Sequence, residues 1–430
     1  MNILQTYYNR EINSKDLNYK GGYLHPEINW LSIAYSCLLL KKYNPEKQLV
    51  LYGNEEVICI LIDLFKLPYD NYQILPIPDD GRERFYCYPK IQAYRMQKDA
   101  FVHIDTDVYM WEPIPDKMLS AGLIAQHEEE DSDFYMYVYN HMKECGVQLL
   151  DVQKCCLGEG YIHSYNAGMI GGNDLDFFHE YVHKIESFID MNMPFMMKSD
   201  KPFLFNVVFE QWMYYALAQY HHKPVTTYID GVVKDFKMPW GIVPEQIVDW
   251  DLQKYIHIME YKRQIQCNRF IVRNMYTEFH DYYERILSVC KEHGVIVKEK
   301  MGNDELLDIQ MRQKGVVDEY RTKKRQFVDS VISISPSVEI RNLSDAQVQV
   351  MHKASQCDSF AEYKSVLAYD AFMNQPQEFL YSGQWLQLLS LFRNPIKMSE
   401  LLGEIGDDSK KEMLIRFVKQ NLFNNVLYVV

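Results

Sequence analysis

The sequence has no apolar run long enough to cross a bilayer; its best stretch, LSIAYSCLLL at residues 31–40, stops well short of the ~20 residues a span needs. The start, MNILQTYYNR, lacks the basic residues and apolar stretch of a secretory signal, so a cytoplasmic protein is expected. Basic charge is also lacking. With 45 Lys and Arg against 59 Asp and Glu, the formal net charge of -14 argues against a general attraction to nucleic acid or anionic membrane. The nine cysteines are odd in number and form no CxxC pair, which excludes a zinc ribbon and a disulfide framework and predicts reduced thiols. Walker A, GxGxxG, GxSxG and HExxH signatures are absent, so NTPase, dinucleotide, serine-hydrolase and zincin chemistries have no motif behind them. No tandem repeat or low-complexity tract interrupts the chain.

What is present is a core. Hydrophobic residues make up 47% of 430 positions, enough for two or three packed domains, and most of the 33 tyrosines are expected to fill that core rather than line a surface. Short β-type runs alternate with helical patterns. QLVLYG (48–53), YQILPI (72–77), AFVHID (100–105) and GLIAQH (122–127) read as strands; residues 26–43, 55–65 and 88–98 read as helices. This alternation predicts an α/β domain with a mostly parallel sheet, Rossmann-like, over residues 1–295, whose ligands gather at the carboxyl ends of the strands. Charged sequence then suggests a helical linker region over 296–370, including DEYRTKKRQF (318–327). Residues 371–430 regain periodicity, with Trp385, Leu388, Leu389 and Phe392, then Leu401, Leu402 and Ile405, then Leu414, Phe417 and Val418, before a final strand. Three short helices and a strand suggest a winged-helix-like module. The mainly helical C-terminal region thus follows the α/β domain.

The stretch FVHIDTDVYMWEPIP (101–115) runs from an apolar segment into Asp105 and Asp107. Residues i and i+2 of a strand share a face, so the two carboxylates are expected to converge where the strand ends. Isolated carboxylates there are costly, and a divalent cation relieves the cost while keeping coordination positions open for phosphate oxygens. Downstream, QHEEEDSDF (126–134) reads as a solvated acidic loop over the site, and HHK (221–223) as surface.

The run KIQAYRMQKDAFVHIDTDVYMWEPIP resembles the donor-site region of GT-A glycosyltransferases, in which a DxD motif binds a metal and the diphosphate of a nucleotide sugar. YNAGMIGGN (165–173) is similar to the sugar-facing strand of glycogenin-like and capsular-mannosyltransferase-like retaining members. FEQWMYYAL (209–217) resembles their acid–glutamine pair, and YIHIMEYKR (255–263) their histidine–lysine element. The likeness covers about residues 1–270 and is nearest to a poorly characterised bacterial group. It implies Asp105, Asp107 and His257 as ligands of Mn2+ or Mg2+, with Lys262, Lys90 and Gly168 as donor-binding residues. It also implies Asn166, Glu210 and Gln211 near the transferred sugar. The expected activity is metal-dependent transfer of a hexose from a nucleotide-diphosphate sugar to a glycan or peptide acceptor, with retention. Met259 and Glu260 depart from the family pattern, standing where a glycine follows the histidine, and Glu260 is expected to crowd the diphosphate.

The tail is similar to PqqD-like peptide-binding modules. Its last fifty residues hold six Lys and Arg and five Asp and Glu, a poor balance for DNA backbones and a better one for a peptide or protein partner. A catalytically silent protein that holds a peptide through this module is therefore the competing expectation.

Overall fold

The computed structural model describes residues 1–131, 133–154, 156–157, 160–234, 254–297, 306–313, 327–355 and 363–430. The expected linker sequence at 318–326 lies outside them. The chain divides into two compact units. The first comprises Met1–Ile242, Lys254–Gln264 and Asp281–Ile296; the second comprises Val243–Gln253, Ile265–His280 and Val297–Val430. No helix among the described residues is long and apolar enough to cross a membrane.

The strands of the first unit are β1 (Asn2–Tyr7), β2 (Leu49–Gly53), β3 (Asn71–Ile74), β4 (Phe101–Ile104), β5 (Val108–Met110), β6 (Leu123–Ala125), β7 (Glu128–Asp131), β8 (Ile162–Tyr165), β9 (Met169–Gly172), β10 (Val225–Thr227), β11 (Val232–Lys234) and β12 (Tyr255–His257). Seven of them make one sheet in the order β10-β6-β9-β4-β1-β2-β3. All its pairings are parallel except those of β9, which runs antiparallel between β4 and β6. The mostly parallel α/β domain is therefore as expected, and each strand run read from the sequence falls on β2, β3, β4 or β6.

The helix Pro26–Tyr43 has the expected bounds, with proline in its first turn, Glu27 near its positive end and Lys41 and Lys42 at its negative end. It is buried on all sides from Ile28 to Leu40, because its small polar positions turn inward to β5: Ser36 donates to Val108 O at 2.6 Å and Ser32 bonds the Tyr109 hydroxyl at 2.8 Å. The expected helix at 55–65 is α-helical only over Glu55–Ile58 and then widens into a π-turn at Cys59–Leu64. Tyr94, Tyr109, Tyr135, Tyr181 and Tyr214 are among the largest fully buried side chains, so tyrosine abundance here is core packing. Cys37, Cys59, Cys87, Cys145, Cys156, Cys267 and Cys290 are free thiols.

The second unit contains the helices Ile265–Glu278, Asp345–Ser355, Gly383–Ser390, Met398–Gly403 and Asp408–Phe423. It also carries two antiparallel three-stranded sheets. One joins β17 (Ile396–Lys397), β13 (Val331–Ile334) and β18 (Leu427–Val429); the other joins β14 (Glu339–Asn342), β15 (Lys364–Asp370) and β16 (Gln375–Tyr381). Residues 331–370, expected as part of a helical linker, thus contain strands, and position 371 falls in the turn of the β15–β16 hairpin. From Val366 to Asp370 buried and half-buried positions alternate, the period-2 pattern of a strand. Arg269 is buried against Asp370 and donates to Gln377 at 3.0 Å, tying the first of these helices to that hairpin.

Candidate functional site

β4 ends at Ile104, so Asp105 and Asp107 lie beyond the strand rather than on one of its faces. What brings them together is a turn. The Asp105 amide donates to Gly168 O at 3.0 Å and the Val108 amide to Asp105 O at 3.1 Å, folding the chain back before β5 begins. β5 then pairs antiparallel with β12, setting Val108 opposite His257, and the Ile258 amide donates to Asp107 O at 3.0 Å. Asp105, Asp107 and His257 consequently each offer one ligand atom within 4.8 Å of the others. His257 Nε2 lies 3.5 Å from Asp107 Oδ1 and 3.9 Å from Asp105 Oδ2.

Two lysines meet these acids. Lys262 Nζ is 2.9 Å from Asp107 Oδ2, and Lys90 Nζ is 2.9 Å from Asp105 Oδ1 and 2.8 Å from Glu210 Oε1. Burial would raise the Asp107 carboxyl, but Lys262 and His257 outweigh it and hold it well below the usual carboxylate range. Burial likewise opposes both ammonium groups, yet Asp105 and Glu210 keep Lys90 raised and Asp107 keeps Lys262 raised. Glu210 sits on a π-turn, Val208–Trp212, and accepts from Tyr94 at 3.1 Å. Its burial raises the carboxyl pKa, and Lys90 only partly offsets this. With His257 neutral, three carboxylates against two ammonium groups leave one negative charge in excess, which favours a cation.

Lys262 belongs to the tight turn Met259–Arg263, in which Met259 takes a left-handed backbone conformation with φ +47°. That conformation is costly for a side chain larger than glycine and clusters at functional sites. Glu260, expected to crowd the diphosphate, is an exposed side chain.

Asn166 and Gly168 occupy the site but are committed to protein partners. Asn166 Oδ1 accepts from the Gly168 amide at 3.0 Å, and its Nδ2 donates to Glu129 at 2.9 Å. The space in front of Gly168 is filled by Gln126 and the His257 ring, so the missing side chain makes room for the histidine. Gln211 meets the Tyr135 hydroxyl, which also lies 2.9 Å from Glu129 Oε2.

Glu129, His127 and Gln126 were expected in a solvated acidic loop, and this is overturned: Gln126 and His127 are fully buried, Glu129 is 3% exposed, and β7 begins at Glu128. Burial opposes the Glu129 charge, but hydrogen bonds from His127, Asn166 and Tyr135 prevail and lower its pKa. The alternation of the acids, Glu129 and Asp131 inward and Glu128 and Glu130 half-buried, was the readable signal.

Two carboxylates with one imidazole nitrogen are a donor set suited to a divalent cation, and the excess negative charge agrees with it. No curated protein matches the chain in sequence. Several solved structures are distantly similar. The galactosyltransferase LgtC in complex with donor and acceptor sugar analogues is 12% identical, covering 49% of this chain and 71% of that one with a TM-score of 0.29. Mouse xyloside xylosyltransferase 1 is 12% identical over 53% and 84% at 0.30, and the glycosyltransferase GlyE of Streptococcus pneumoniae TIGR4 is 9% identical over 68% and 63% at 0.32. Scores this low carry no functional argument. A family model matches residues 1–289, and the chain belongs to that family, DUF6734, a family of unknown function.

Proposed function

We propose that this protein is a metal-dependent glycosyltransferase of the GT-A type that takes a nucleotide-diphosphate sugar as donor. The observation that carries the reading is the convergence of Asp105, Asp107 and His257 within 4.8 Å at the carboxyl end of β4, with Lys262 alongside. A divalent cation held by these three would act as Lewis acid toward the charge that develops on a diphosphate leaving group. Lys262, beside Asp107, would meet a phosphate oxygen of the donor. Lys90 would hold Asp105 in orientation and keep Glu210 close to the transferred sugar, with Gln211 beside it. The buried Glu210 carboxyl, already engaged by Lys90 and Tyr94, suits electrostatic support of the sugar better than service as a free nucleophile. Transfer of a hexose with retention, to a glycan or peptide, is the finer form of this proposal.

Mn2+-dependent hydrolysis of a panel of nucleotide sugars tests it. Turnover should be lost in Asp105→Ala with Asp107→Ala; absence of both turnover and metal-dependent nucleotide binding in the unchanged protein would sink the reading. The competing reading, a silent protein holding a peptide through residues 371–430, is favoured by no feature among the described residues.

A further inference from the structure

Behind His257 runs a chain of buried polar groups whose hydrogen-bond directions agree with one another from Glu129 onward. Glu129 is an ionised carboxylate and only accepts, so His127 Nε2, 3.0 Å from its Oε1, must carry the proton. His127 Nδ1 is then the acceptor, and the Gln126 amide nitrogen 3.1 Å away donates to it. That orients the Gln126 carbonyl oxygen toward β12, where it accepts from the Tyr255 hydroxyl at 2.6 Å and from His257 Nδ1 at 2.9 Å. With Nδ1 committed as a donor to Gln126, His257 turns Nε2, the nitrogen that would ligate a cation, toward Asp105 and Asp107. Gly168 supports the arrangement, since a side chain there would displace both Gln126 and the imidazole.

We infer that Gln126 is a positioning residue that fixes the tautomer and ring orientation of His257 for metal binding, and that the Glu129 carboxylate sets the direction of the chain through His127. The metal role of His257 rests on the function proposed above; the tautomer does not. Partners that accept from the far N–H of a ligating histidine typically change metal affinity by about 10–100-fold when removed.

The test compares the full chain with Gln126→Met, which keeps size and loses the acceptor, with Gln126→Glu, which keeps the acceptor, and with Glu129→Gln, whose amide can face His127 either way. Mn2+ alone is titrated calorimetrically into each. Gln126→Met should bind about 10–100-fold more weakly, and Gln126→Glu should recover most of the loss. Imidazole 15N shifts of the metal-free proteins, with the His257 signal identified through His257→Asn, supply a second readout. Read at a pH where the imidazole is neutral, the unchanged protein should show His257 protonated on Nδ1, and Gln126→Met and Glu129→Gln should show a mixture of tautomers. An unchanged tautomer in both variants overturns the inference, as does unchanged Mn2+ affinity in a folded Gln126→Met. If the parent protein binds no Mn2+, the Mn2+ role of His257 fails, turnover and metal-dependent nucleotide binding decide the glycosyltransferase reading separately, and the 15N shifts alone still decide on the positioning role. If Gln126→Met does not fold, Glu129→Gln decides it by the same shifts.

Discussion

A β-carbon added at Gly168 would lie 2.6 Å from His257 Cε1 and closer still to its Nδ1, so the glycine and the histidine occupy one space. The first prediction follows from that exclusion. Gly168→Ala should push His257 and Gln126 aside, weakening Mn2+ binding at least about tenfold while costing about 1–3 kcal/mol of stability, the usual penalty of overpacking. Calorimetric Mn2+ titration beside urea denaturation checks both.

Lys90 joins Asp105 to Glu210, and Glu210 is nearly inaccessible to water. Lys90→Met should leave a buried carboxylate uncompensated and destabilise the protein by about 3–5 kcal/mol. Adding Glu210→Gln removes that charge and should recover a substantial part of the loss. Chemical denaturation of the two single variants and the double variant reads the coupling; strictly additive effects would contradict it.

Met259 is strained by its φ of +47°. Glycine relieves a left-handed conformation worth about 1–2 kcal/mol, against a chain-entropy cost of about 0.5–1 kcal/mol. Met259→Gly should therefore raise the melting temperature slightly. A fall would mean that the contact of Met259 sulfur with Asn166, at 3.8 Å, outweighs the strain.

Glu129 gives a pH prediction. Its folded pKa is depressed below the unfolded value of about 4.3, so its contribution to stability is present above that pH and is lost as pH falls through the folded pKa. In Glu129→Gln the acid limb of the stability curve should be shallower below about pH 4.3. Unfolding free energy measured from pH 3 to 7 in both proteins decides it, and identical slopes would count against the assignment.

Local chemistry was legible where it had a period. The helix Pro26–Tyr43 and strands β2 and β4 follow directly from apolar spacing and a proline start, because each forms from contacts within one turn or one pleat. The candidate ligands Asp105 and Asp107 could be read because they follow an apolar strand within three residues. Gln126, His127 and Glu129 could not: a charge run is normally solvated, and partners on other elements, among them Tyr135, Ser164, Asn166, Tyr255 and His257, make its burial tolerable.

The sequence by itself determined an α/β chain with a pair of aspartates closing a buried strand, since side-chain pattern and backbone preference act over a few residues. Only the tertiary structure decided what surrounds them. The pairing of β5 with β12 carries His257 across about 150 positions to Asp107, and long-range pairing of that kind leaves no periodic trace in either segment. It also decided that Asp105 and Asp107 meet through a turn, that Lys90 bridges two acids, and that Gly168 is small for the sake of a histidine. Each of these depends on which groups share one low-dielectric space, a property of the folded volume rather than of neighbours along the chain.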